Sequence, residues 1–107
     1  MKTRPWKSAQ DGREGITFYC PGCDGPHSVT TAGPGAWAYN GDPERPSLSP
    51  SVLVNYGFRV GDKRCHSYVG LYDAKPGEIM FLTDCTHHLA GQTIPLPDWD
   101  SPEEVSA

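Results

Sequence analysis

Tyr19-Cys20-Pro21-Gly22-Cys23-Asp24-Gly25 has the form of a metal knuckle. Two cysteines two residues apart, with proline and glycine inside the turn, aim both thiolates at one point. The glycine lets backbone N–H groups approach the sulfurs. Zinc prefers such soft ligands in tetrahedral geometry. A redox dithiol of the thioredoxin type would open a helix after a strand, but Cys23 runs into Asp24-Gly25-Pro26, which cannot start a regular helix. A pair of buried free thiols is the plainer alternative. The knuckle supplies half of a tetrahedral site, so the other ligands come from downstream, where Cys65 and Cys85 each have a histidine close by.

Outward from the knuckle the chain reads as hairpins. Gly15 to Cys20 alternates apolar and polar residues as a half-buried strand does, and His27 to Thr31 is a β-branched partner. Ala36 to Asn40 is a short third strand with Trp37 and Tyr39 on one face. Pro43, Pro46 and Pro50 punctuate a loop from Gly41 that carries Ser47-Leu48-Ser49-Pro50-Ser51 into Val52-Leu53-Val54-Asn55-Tyr56. That continuous apolar run predicts a strand buried on both faces. A turn at Gly61-Asp62-Lys63 leads to a strand over Arg64–Leu71, and Asp73 to Gly77 turns it into Glu78–Leu82. Thr83 to Gly91 is the one segment suited to a helical turn, with Thr83 or Asp84 as its N-cap.

The expected fold is therefore mainly β, a small single-domain antiparallel sheet built on hairpins with a zinc knuckle and little helix. Residues 1–14 form a polar N-terminal arm anchored by Trp6, 15–99 the zinc-stabilised β domain, and 100–107 a flexible acidic tail. Twelve glycines and 11 prolines in 107 residues exclude long helices, and an apolar fraction of 36% leaves a modest core that a metal would reinforce. A net charge of −4 argues against general nucleic-acid binding. No apolar run reaches membrane-spanning length, and Met1-Lys2-Thr3-Arg4-Pro5 has no signal-peptide core. The expectation is a cytoplasmic protein with reduced, metal-bound cysteines.

Successive strand residues point to opposite faces, so Cys65 and His66 serve different sites. With Cys65 turned to the knuckle and Cys85 as the fourth ligand, Cys20, Cys23, Cys65 and Cys85 make a closed, structural zinc site. His27, His66 and His87 are alternative ligands. His66, facing the other way, is either a hydrogen-bonded structural residue or a base for a serine of the proline-stiffened loop. Ser47, Ser49 and Ser51 are the hydroxyls available, and turn chemistry is their plainer role. Asp84, His87 and His88 add groups that orient a base or form an open metal site. Trp37, Tyr39 and Trp99 read as core and rim aromatics.

Several elements together carry a resemblance: Cys20-Pro-Gly-Cys23 with His27, the Trp37 to Asp42 stretch, Pro46 to Ser51, Cys65-His-Ser67, and Asp84-Cys-Thr-His87 through Thr93. From about Gly15 to Trp99 the chain resembles a small uncharacterised-domain family common in phages and prophages, whose members sometimes carry the label "ammonia monooxygenase". Nothing in the sequence resembles a copper or iron oxygenase site. More distant relatives, in bacterial operons for ubiquitin-like modifiers, look like peptidases that trim the modifier or remove it from targets. The resemblance implies Ser51 as nucleophile and His66 as base; Asp84 or His87, from its place beside Cys85, is the candidate to orient the base. It implies a protein or peptide substrate, a ubiquitin-like modifier among the candidates, in a phage- or prophage-carrying bacterial cell. The chain departs from those relatives in the histidine directly after Cys65 and in the added Asp84 to His87 element. A non-catalytic zinc module that binds a host protein, and a hydrolase with a catalytic metal, are the competing expectations.

Overall fold

The structure, a computed structural model, describes residues 1–56 and 63–99. These residues form antiparallel strands and no α-helix. β1 (Thr3–Lys7), β2 (Glu14–Cys20) and β3 (Gly25–Ala32) make one sheet in that order. β4 (Ala38–Tyr39) pairs with β5 (Leu48–Ser49). β6 (Val52–Tyr56), β7 (Lys63–Val69), β8 (Glu78–Phe81) and β9 (Thr93–Pro95) make a four-stranded sheet, also in chain order. The β fold built on hairpins is as the alternation and turn residues predict.

The knuckle is the turn of the β2–β3 hairpin, which closes with Cys20 opposite Gly25. Asp24 takes a left-handed φ of 55° there, a conformation aspartate adopts more readily than most residues. Alternation along β2 buries Ile16, Phe18 and Cys20 on one face. They join Val29 from β3, Val52, Val69, Ile79 and Phe81 from the larger sheet, and Leu48 and Leu96, in one shared apolar core. Cys65 and Cys85 lie in the same cluster, so the thiols sit where the two larger sheets meet.

Four expectations are corrected. Thr3–Lys7, read as part of a polar arm, pairs with β2 along its length. The cause is Trp6, which packs so closely on Gly15 that a Cβ there would lie 2.3 Å from the indole. β6 is buried on one face: Val52 is buried while Leu53 is 51% exposed. β5, too short to show a sequence period, lies in the segment read as loop, and β9 in a stretch where no strand was expected. Residues 83–91 form turns, closed by bonds such as Cys85 N–H to Leu82 O (3.2 Å) and Ala90 N–H to His87 O (3.3 Å), and no helix. The expected turn at Gly61-Asp62 and the tail from Asp100 lie outside the described residues. No helix among the described residues is long and apolar enough to cross a membrane.

Candidate active site and metal centre

β7 carries both sites back to back. Its odd residues Cys65, Ser67 and Val69 are buried, while His66 and Tyr68 face outward. His66 lies opposite Leu53 in the ladder. On that outer face the His66 Nε2 is 2.9 Å from the Ser51 hydroxyl, just before β6 begins. The other ring nitrogen, Nδ1, lies 3.2 Å from Asp84 Oδ2. Hydroxyl, imidazole and carboxylate thus stand in line, the connectivity by which a base and its orienting acid activate a serine. The His66 side chain is 23% exposed and Asp84 41%, so the array opens to solvent.

The three serines separate cleanly. Ser47 donates to the Gly70 carbonyl at 2.6 Å, a turn role, and Ser49 is exposed in β5. Ser51 alone of the three meets an imidazole. Its position is fixed from behind by Trp37, whose indole N–H donates to the Ser51 carbonyl at 3.3 Å. No sequence signal distinguished that role from a rim aromatic. The Arg64 guanidinium lies 3.9 Å from Asp84 Oδ2. A cleft of about 400 Å³, lined in part by Met80, Leu82 and Gly91, opens beside His66 and Asp84.

On the inner face Cys20, Cys23, Cys65 and His87 converge, with one ligand atom of each lying within 4.8 Å of the others. These four lie close enough to bind a metal ion. The fourth member corrects the expectation of Cys85. The Cys85 thiol instead meets the His66 backbone, 3.2 Å from its N–H and 3.2 Å from its carbonyl. His87 had been an alternative, and its place depends on a glycine. A Cβ at Gly22 would lie 2.3–2.7 Å from three atoms of the His87 ring, so Gly22 exists to admit the imidazole.

The donor set fits a metal. Among the described residues His87 Nε2 is buried without a hydrogen-bond partner, while the Leu89 N–H bonds to Nδ1 at 3.2 Å and fixes the ring. The Cys23 amide donates to Cys20 Sγ at 3.4 Å, as a metal knuckle requires. Cys20 and Cys65 Sγ are 3.7 Å apart. That contact holds the Cys20 thiol far below its ordinary range, at about 4, with His27 and the Cys23 amide assisting against burial. The same contact, with burial, pushes Cys65 up. The two sulfurs compete for one proton, and a cation bound among them would take its place. Three thiols and one imidazole are a donor set typical of zinc. His27 is a neighbour of Cys20 outside the converging four. Burial pushes the Cys85 thiol up as well.

Fold and site define a class: a small all-β domain with a hydroxyl–imidazole–carboxylate array on one face of a strand and, on the other, a cluster of Cys and His close enough to bind a metal ion. The family described as "Bacterial ubiquitination-like system serine protease (BubE)" matches residues 2–81, and the chain belongs to that family. The match spans Ser51, His66 and three of the clustered cysteines, and ends before Asp84 and His87. No curated protein and no solved structure matches the chain.

Proposed function

We propose that this chain is a zinc-stabilised serine peptidase that processes a ubiquitin-like modifier or releases it from a protein target. The observation that carries this is the in-line contact of Ser51, His66 and Asp84, and membership of a serine protease family supports it. Ser51 Oγ attacks the scissile carbonyl as its proton passes to His66 Nε2. Asp84 holds Nδ1–H and stabilises the imidazolium. The imidazolium then protonates the leaving amine, and water, deprotonated by the same imidazole, releases the acyl group from Ser51. The amides of Ser51 and Val52 are the candidate oxyanion donors; Pro50 has no N–H to offer.

Zinc in the Cys20, Cys23, Cys65, His87 cluster would supply a cross-link between the sheets. With four protein ligands it would have no open position for substrate, which counts against the metallohydrolase alternative. The binding-module alternative expects Ser51 and His66 to be far apart or buried, and their 2.9 Å contact, with the His66 side chain 23% exposed, counts against it.

Fluorophosphonate labelling of the purified, metal-loaded protein tests the proposal. Labelling that maps to Ser51 and is lost in both Ser51→Ala and His66→Ala is the expected result, with metal content unchanged in both variants. Cleavage of a modifier fusion that survives Ser51→Ala would remove Ser51 as the nucleophile.

A further inference from the structure

We propose that Cys85 is a positioning residue, whose thiol holds the His66 main chain so that the imidazole stays in line between Ser51 and Asp84. This rests on the peptidase reading of that array. β8 pairs with β7 only over Ser67–Val69, so among the described residues the β8-side edge of β7 from Arg64 to His66 has no strand along it. Residues 82–87 take over that edge. The Leu82 N–H donates to the His66 carbonyl at 2.9 Å, and the Thr86 N–H donates to the Arg64 carbonyl at 3.0 Å. The Thr86 hydroxyl accepts from the Arg64 N–H at 2.9 Å. Between them the Cys85 sulfur accepts from the His66 N–H and donates to the His66 carbonyl, both at 3.2 Å.

Cys85 is the side chain of this loop that meets both polar groups of the His66 backbone, and its chain neighbour Asp84 meets the His66 ring. One dipeptide therefore grips the histidine at its root and at its tip. A thiol can do both because it donates and accepts. Truncation to alanine leaves the His66 N–H without this partner and frees the ring to drift from the serine. Small displacements of a reacting group of this kind cost on the order of 10²-fold in rate.

Cys85→Ala and Cys85→Ser, made in the full metal-loaded chain, separate positioning from bulk structure. Cys85→Ala is expected to slow Ser51 labelling and kcat by on the order of 10–100-fold with KM little changed. Cys85→Ser, which keeps a donor and an acceptor, is expected to recover most of the rate. Metal content stays at the wild-type value in both. By NMR, the His66 amide exchanges faster in Cys85→Ala, and the Nδ1–H resonance of the Asp84-bonded ring shifts or broadens. Wild-type labelling in Cys85→Ala, loss of metal in Cys85→Ser, or unchanged His66 signals would each overturn the proposal. If the wild-type serine proves inert, the peptidase reading fails, and the His66 amide and ring signals still decide whether Cys85 holds this histidine.

Discussion

Asp84 is the member of the array that lies outside the family match, and it is the easiest to probe alone. Asp84→Asn keeps the shape but lets Nδ1 accept where it should donate, which reverses the tautomer needed at Nε2. The expected loss is on the order of 10³–10⁴ in kcat, by analogy with other triads, with Ser51 and the metal undisturbed; kinetics on a cleavable fusion measure it. Gly22→Ala is the matching change on the inner face. Its Cβ would overlap the His87 ring, so it should displace that ligand and lower metal occupancy. Metal analysis after dialysis reads this directly. The sequence showed that Cys65 and His66 must part company, because strand alternation is strict. It could not choose among Ser47, Ser49 and Ser51, since all three sit in one proline-rich loop and only the pairing of β6 with β7 decides. It put Cys85 ahead of His87 as the fourth ligand, although the two lie two residues apart in a turn whose direction depends on the space at Gly22.

Among the strands, legibility followed side-chain patterning more than length, since the short β4 was read and the longer β1 was not. β2, β3, β6, β7 and β8 were marked by alternation or β-branched runs between turns. β1 was hidden by Arg4, Pro5 and Lys7, because it is an edge strand whose side chains are mostly exposed. β6 showed the limit of reading an apolar run: Leu53 is large and apolar yet faces outward beside His66. The two positions should differ in unfolding experiments. Ile79→Ala, in the fully buried centre of β8, is expected to cost about 2–5 kcal/mol. Leu53→Ser should stay within about 0.5 kcal/mol. Denaturant titration of the metal-loaded protein compares them, and equal losses would place Leu53 in a buried contact.

The two larger sheets share one small core, and the cluster spans them: Cys20 and Cys23 belong to the β2–β3 hairpin, Cys65 to β7, and His87 to the loop beyond β8. Chelation should therefore lower the melting temperature sharply. Each kcal/mol lost moves it by roughly 4–8 °C in a domain of this size. Acid has a related effect with a definite sign. Cys65, pushed up, carries its proton at neutral pH, so loading must expel it and affinity rises with pH. Cys20, held at about 4, is already ionised at neutral pH and competes only as the pH falls toward that value. Zinc added at pH 7 in weak buffer should release protons; no release would contradict Cys65 as a ligand.

Cys65 and His66 are consecutive residues of a strand that shows one of them to each side. Inserting or deleting a single residue upstream in β7 would turn the pair over, presenting sulfur to Ser51 and imidazole to the knuckle. Stability and chemistry would then fail together, in one mutational step, with every functional side chain still present in the gene. The spacing within this strand is therefore closed to single-residue change.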